Sequence, residues 1–219
     1  MSIQNIINKA QQIEIDRRKV VGQTISRSQR IKTSERASAQ PWRFKVTPPP
    51  VLDWTSSRSF IEVIDFNDRS TEYTISLNSA TGMQYITAYQ GALNNTALGN
   101  LAVTGTTTST LIVGTLPAID GTVTSSTVVF YAGDFVQPQN SRYPYSVTQT
   151  VVRGTGTTIS VPLNRPIITS ENITLTGNKV LVGNSVTWRV IVGALPTYSL
   201  IPSRRVQYNG DFDLIEKII

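Results

Sequence analysis

The sequence predicts a mainly β protein, in which a β-sandwich domain containing a short helix carries an inserted small β-barrel or second sandwich. Short apolar runs recur about every ten residues beyond position 100, separated by Gly, Pro, Asn, Ser and Thr, which is typical of a sandwich or small barrel. Thr, Ser, Val and Ile recur throughout, and these residues favour pleated, half-buried strands. Hydrophobic residues make up 39% of the chain and charged residues 16%, so the composition argues against disorder.

The composition also excludes several kinds of chemistry. The 219 residues include no Cys and no His, which excludes disulfides, thiolate nucleophiles, Ser-His-Asp triads and sites built on imidazole or thiolate ligands. Carboxylate-only chemistry stays open on these grounds. We therefore expect no cofactor. Separately, we expect neither a membrane span nor a signal peptide.

The charge is unevenly distributed along the chain. The first 47 residues hold ten Lys or Arg and three acids, a net charge of +7, so the rest of the chain is close to neutral within the total of +6. Between residues 79 and 178 only six residues are charged. This break predicts two modules: a β-rich domain made of 17–100 and 182–219, and an inserted β-barrel-like domain over 101–181.

The first 16 residues are expected to form an N-terminal helical arm. Residues 2–13 place apolar side chains on one helical face; they are Ile3, Ile6, Ile7, Ala10 and Ile13. Such an arm packs on its own domain, packs on a neighbouring subunit, or frays.

Two β features follow. Residues 20–33 (VVGQTISRSQRIKT) predict a polar strand pair or ribbon. Residues 42–47 then alternate strictly, so Trp42, Phe44 and Val46 are expected on the buried face of a core strand. Three prolines at 48–50 end that strand.

A short helix is expected over about 57–66, because Ser59 and Glu62 have the spacing of a capping box. Residues 71–77 alternate as a strand, and residues 82–93 show a weaker helical spacing. The Gly-Thr-Gly at 154–156 is expected at the tip of a hairpin joining 151–152 to 159–161. The last segment, 211–219, is expected to be a strand that packs on the first module.

Few residues are candidates for chemistry. The carboxylates of Glu62, Asp65, Asp68 and Glu72 are read as solvated charges near a helix end, because nothing in the sequence marks a sugar-binding pocket around them. The Gly-Thr-rich stretch at 154–158 lacks the Lys-Ser/Thr ending of a phosphate-binding loop. We expect no catalytic, cofactor-binding or metal-binding residue.

The basic segment at 17–45 is the most site-like feature, and three interpretations of it remain open. It contacts nucleic acid through phosphates, forms a subunit interface or a charged channel lining, or is merely a solvated face. The candidate residues for an interface or channel lining are Arg27, Arg30, Lys32 and Arg36.

Several short motifs resemble those of one protein family. Residues 26–32 (SRSQRIK) and 39–49 (AQPWRFKVTPP) resemble a polar ribbon followed by a core strand in phage virion proteins. Residues 132–136 (AGDFV), 145–148 (YSVT) and 161–163 (VPL) resemble the inserted β-domain of the same proteins. Over about residues 20–195 the chain is similar to the distal tail and baseplate hub proteins of bacteriophages.

This resemblance implies a hub-type sandwich that forms a ring, often hexameric, around the tail channel, with a second β-domain projecting outward. The expected partners are copies of the chain, other tail and baseplate proteins, and DNA passing through the channel. The expected location is the virion, after assembly in the bacterial cytoplasm.

Two other functions compete with a structural role. A carbohydrate-binding accessory module of a phage tail would act on host surface glycans, with Tyr131, Tyr143 and Tyr145 stacking on sugars. An enzyme that uses carboxylates, such as a peptidoglycan hydrolase, is the less favoured alternative, and we expect no catalysis.

Overall fold

A computed structural model shows a mainly β chain of several antiparallel sheets, as the sequence predicts. It describes residues 2–17, 21–25, 31–35, 40–67, 71–168 and 175–218. Within these ranges the helices are α1 (Ser2–Asn8), α2 (Trp54–Asn67) and α3 (Asn95–Asn100). The first nine strands are β1 (Gln12–Asp16), β2 (Val21–Ile25), β3 (Ile31–Glu35), β4 (Arg43–Thr47), β5 (Leu52–Asp53), β6 (Tyr73–Ile75), β7 (Ala102–Thr106), β8 (Thr110–Gly114) and β9 (Val128–Phe130). The next nine are β10 (Phe135–Pro138), β11 (Tyr145–Ser146), β12 (Val151–Val152), β13 (Ile159–Pro162), β14 (Val180–Val182), β15 (Trp188–Ala194), β16 (Thr197–Ile201), β17 (Arg205–Asn209) and β18 (Phe212–Glu216).

The largest sheet joins the two ends of the chain. Its strand order is β1-β4-β18-β15-β6, and every neighbouring pair is antiparallel. The C-terminal strand β18 lies between β4 and β15, so the last segment closes the module that the first segment opens. Along β4 the buried and exposed residues alternate, as the sequence pattern requires.

Helix α1 packs on its own chain. Ile3, Ile6 and Ile7 are buried in the same core as the large sheet. The helix is shorter than the 2–13 spacing predicts: it ends at Asn8, and residues 12–16 form the edge strand β1. The change begins where the backbone N–H of Gln11 donates to the carbonyl of Thr47, and from Gln12 onward the chain pairs with β4.

Helix α2 is longer than predicted and begins earlier. Its first turn is capped by Asp53, whose carboxylate accepts the backbone N–H of Ser56 at 2.8 Å, so the cap is not Ser59. The helix lies beside a three-stranded sheet of order β16-β17-β5, where Trp54 and Tyr198 place their rings 6.4 Å apart.

A second hydrophobic cluster occupies the low-charge part of the chain. Its buried residues fall between Leu93 and Val180, and three small sheets surround it, with strand orders β11-β10-β14, β12-β9 and β13-β8-β7. Phe135 lies within this stretch but packs in the first cluster.

Two local predictions are wrong. Strands β12 and β13 do not form a hairpin, because β12 pairs with β9 whereas β13 pairs with β8. Residues 82–93 do not form an α-helix: only a 3-10 turn at Gln84–Ile86 lies there, and the apolar positions are too weakly periodic to bury one face. One of the short apolar runs beyond position 100, at residues 173–175, lies mostly outside the described residues.

In the part of the chain that the structure describes, no helix is both long and apolar enough to cross a membrane.

Candidate functional site

The predicted polar ribbon is present as strands β2 and β3. They pair antiparallel in a register that runs from Val21 opposite Glu35 to Ile25 opposite Ile31. Their place in the chain is informative, because the strand before them and the strand after them, β1 and β4, are neighbours in the large sheet. Asp16 at the end of β1 is the register partner of Arg43 at the start of β4. The ribbon is therefore an insertion between β1 and β4, at the end of that strand pair where Asp16 lies opposite Arg43.

The four candidate interface residues belong to this ribbon or flank it. Lys32 lies on β3, where its register partner is Thr24. Arg27, Arg30 and Arg36 lie outside the described residues. Within the described chain, β2 and β3 pair with each other and with no other strand, so both outer edges of the ribbon are left unpaired.

The strand after the ribbon supplies the aromatic centre of the first core. Trp42, Phe44 and Val46 are all buried. The Trp42 ring lies 5.9 Å from that of Trp188 on β15 and 5.5 Å from that of Phe135. With both Trp42 and Phe44 buried, neither is placed to stack on a nucleic acid base.

A buried ion pair lies beside Trp42. The guanidinium of Arg165, whose side chain is 5% exposed, donates to both carboxylate oxygens of Glu216, whose side chain is fully buried; Nη2 reaches Oε1 at 2.7 Å. The same guanidinium donates to the carbonyls of Gln40 and Pro144, each at 2.8 Å.

The backbone of β4 adds to this arrangement. The N–H of Trp42 donates to Glu216 Oε2 at 3.0 Å, and the N–H of Glu216 donates to the carbonyl of Trp42. The guanidinium also lies over the rings of Trp42 and Tyr145, at 5.9 and 5.3 Å from their centroids. Arg165 follows β13 of the second cluster, and Glu216 ends β18 beside β4, so the pair joins the second cluster to the large sheet at the base of the ribbon.

Sequence reasoning missed this pair as a site. The available signal was that Arg165 is one of six charged residues between positions 79 and 178, where an isolated charge in an apolar stretch calls for a partner. The identity of the partner could not be read, because Glu216 lies 51 residues further along the chain.

A second charged cluster lies at the other edge of the large sheet. Glu72 precedes the edge strand β6, and its carboxylate is approached by the cationic groups of Lys217, Arg142 and Arg189 at 3.4, 3.5 and 3.6 Å. The three basic side chains are each about two-fifths exposed. The group stabilises a partly exposed surface and carries a net positive charge.

The other predicted carboxylates have separate roles. Glu62 pairs with Arg58 on the surface of α2, and Asp65 accepts the hydroxyl of Tyr198 at 3.1 Å. Burial is the main cause that raises the pKa of Tyr198, and the hydrogen bond to the neighbouring Asp65 raises it further. Asp68 lies outside the described residues. Across the ranges that the structure describes, no group of three or more acidic, His or Cys side chains could hold a metal ion.

The three tyrosines proposed for sugar stacking are not equivalent. Tyr143 and Tyr145 are buried in the second cluster, and the Tyr145 hydroxyl accepts the backbone N–H of Ile168. Tyr131 is 42% exposed. The proposed role of Tyr143 and Tyr145 in glycan binding is therefore wrong, because a buried ring has no free face for a sugar.

No protein-family model matches this chain, and a sequence search of curated proteins finds no match to it.

Proposed function

We propose that this chain is a non-catalytic structural protein of a long-tailed phage virion. Copies of it form a ring, with six subunits the favoured number, at the tail tip or baseplate hub. The ring surrounds the tail channel and joins the tail tube to the adsorption apparatus. The observation that carries the proposal is the ribbon β2–β3, whose outer edges pair with no other described strand and which comes, in chain order, between the neighbouring strands β1 and β4 of the large sheet.

Such a ribbon needs a partner. An isolated two-stranded hairpin is marginally stable in water, and unpaired strand edges invite pairing with another chain. A protein that acts alone gains little from such an element, whereas a protein that assembles can use it to reach its neighbour. The sequence of this part of the chain is strongly basic, which suits an acidic neighbouring surface or a channel through which DNA passes.

The base of the ribbon is anchored in the core, which suits an assembly joint. It is held by β1 and β4, by the buried aromatic group around Trp42, and by the Arg165–Glu216 pair. Contacts made by the ribbon with a neighbour are thereby transmitted to both hydrophobic clusters. A contact that joins one surface of a subunit to a different surface of the next repeats around a ring until the ring closes.

The motifs that resemble phage hub proteins meet in space, which supports assigning this role to a phage tail. Strand β10 pairs Val136 with Tyr145, and an isolated bridge joins Val147 to Leu163. Three separate short sequences thus form one structural unit. Phe135 of that unit reaches the Trp42 ring, so the unit is joined to the strand that follows the ribbon.

The test is assembly of the purified full chain, followed by light scattering and negative-stain imaging. We expect closed rings from the native protein. The four-fold variant Arg27→Glu, Arg30→Glu, Lys32→Glu and Arg36→Glu should remain folded but fail to form them. The matched control reverses the same number of exposed charges outside the ribbon, at Lys9, Arg58, Arg204 and Arg205, and should still form rings. Rings that persist in the ribbon variant would overturn the role of the ribbon, and a native chain that forms no closed ring, or that turns over a cell-wall substrate, would overturn the proposed function.

A further inference from the structure

Strand β16 is the outer strand of the sheet that lies beside α2. Its inner edge pairs with β17 in a register from Thr197 opposite Asn209 to Ile201 opposite Arg205, and no other described strand pairs with its outer edge. The five residues, TYSLI, contain no charge and no proline. Leu200 is 64% exposed, although it belongs to the same face of the sheet as its buried register partner Val206.

The two outer strands of the large sheet, β1 and β6, are protected in recognisable ways. Strand β1 carries the exposed acids Glu14 and Asp16. Strand β6 is three residues long, and the side chain of Gln4 bonds both the N–H and the carbonyl of Ser76 just beyond it. Charges, shortness and side-chain cover are the usual means of blocking unwanted strand pairing. Strand β16 has none of them, so its edge is available for a partner strand.

We infer that the outer edge of β16 pairs antiparallel with the same edge of a second copy of this chain, around a two-fold axis at Ser199. The flanking prolines set this register. Pro196 and Pro202 stand at equal distances from Ser199, and proline has no N–H to donate to a strand ladder. Pairing centred on Ser199 uses all five residues between the prolines, whereas a shift along the strand would place a proline in the ladder.

The side chains are self-complementary in this register. Thr197 lies opposite Ile201 of the second copy, and Tyr198 lies opposite its Leu200. Residues directly opposite each other in an antiparallel pair lie on the same face, so the exposed Leu200 gains an aromatic neighbour. With no charge in the strand, the two copies meet without like-charge repulsion, which is the reason that a second copy suits this edge.

This contact is separate from the ribbon. It joins identical surfaces, whereas ring closure joins different ones, so the two interfaces can form independently. A five-residue strand pair buries a small area, and we therefore expect a weak dimer that depends on concentration. If two rings present this edge to each other, several such contacts act together and strengthen each other.

Cysteine cross-linking tests the register sharply, because the native chain contains no Cys. Ser199→Cys places two thiols directly opposite each other, at Cα separations of about 4.5–5.5 Å, within the range that a disulfide spans. We expect a covalent dimer under mild oxidation. Thr197→Cys alone should give little dimer, because its copies stand about 14 Å apart in this register. An equal mixture of Thr197→Cys and Ile201→Cys should cross-link, since those two positions face each other.

Leu200→Lys provides the second measurement, by sedimentation velocity of the full chain carrying the four ribbon substitutions, in which ring assembly does not obscure the dimer. Leu200 is mostly exposed, so the variant should keep its melting temperature. The dissociation constant of its dimer should rise at least ten-fold. Failure of Ser199→Cys to cross-link, or equal cross-linking by Thr197→Cys alone, would overturn the proposal. Loss of ring assembly in the ribbon variant with intact Ser199→Cys cross-linking would separate this contact from the ring.

Discussion

Removing one partner of the buried Arg165–Glu216 pair should greatly lower the free energy of unfolding. In Glu216→Ala the guanidinium of Arg165 stays buried with only the carbonyls of Gln40 and Pro144 to accept its donors, and the N–H of Trp42 loses its acceptor. Breaking a buried ion pair from one side costs about 3–5 kcal/mol, because it leaves an uncompensated charge. For a chain of this size that loss lowers the melting temperature by roughly 6–20 °C.

The assay is urea unfolding followed by circular dichroism, with thermal melts in parallel. The matched control is Arg58→Ala, which breaks the exposed pair with Glu62 on α2 and should cost no more than about 0.5 kcal/mol. The double variant Arg165→Met with Glu216→Met should recover much of the loss, because two apolar side chains of similar length leave no buried charge. If Glu216→Ala lost less than about 1 kcal/mol, or if the double variant were no more stable than Glu216→Ala, the reasoning would be refuted.

Four further outcomes follow from the same structure. Trp42→Ala should lose about 3–5 kcal/mol in urea unfolding, since the ring packs against two other buried rings; a loss near 1 kcal/mol would contradict its central place in the core. Replacing residues 18–39 with a short Gly-Ser linker should change the free energy of unfolding by no more than about 1 kcal/mol, because β1 and β4 remain adjacent. Ring assembly should be lost. A large loss of stability would instead show that the ribbon belongs to the core. Gly183→Ala should destabilise by at least about 1 kcal/mol, because Gly183 has φ +64° and an added Cβ would lie 3.1 Å from the carbonyl oxygen of Thr87, whereas Gly99→Ala in α3 meets no such neighbour and should not destabilise. Burial raises the pKa of Tyr89 to about 12, so the stability that its protonated hydroxyl contributes should be full below pH 10 and fall as the pH rises through 12; an unchanged pH dependence in Tyr89→Phe would contradict this.

The sequence predicted the strands best where a short-range pattern was strong. The alternation of Trp42, Phe44 and Val46 was sufficient to place β4 and its buried face. The prediction of a polar strand pair before β4 was also correct. The N-terminal helix was predicted too long because its apolar spacing continues to Ile13, although Ile13 lies on a strand that pairs with β4. Tertiary pairing overrode the helical period at that point.

Of the predictions that required knowledge of distant partners, the packing of the C-terminal strand on the first module was correct, and the others failed or could not be made. The hairpin expected around Gly154 was wrong because β12 and β13 find partners elsewhere, in β9 and β8. The importance of Arg165 depends on Glu216, and the availability of β16 for a second copy depends on which edge β17 leaves uncovered. Local residue patterns carry no information about these choices, since nearest-neighbour preferences are similar for many possible partners.

The sequence by itself determined that the protein is rich in strands, lacks imidazole and thiol chemistry, and concentrates its positive charge at the front of the chain, because composition and period depend only on the order of the residues. The tertiary structure alone decided that the C-terminal strand lies between β4 and β15, that one arginine and one glutamate are buried together, and that no other described strand covers the outer edges of the ribbon and of β16. The physical reason is that backbone groups and buried charges must find partners somewhere, and which partners they find is settled only when the whole chain packs.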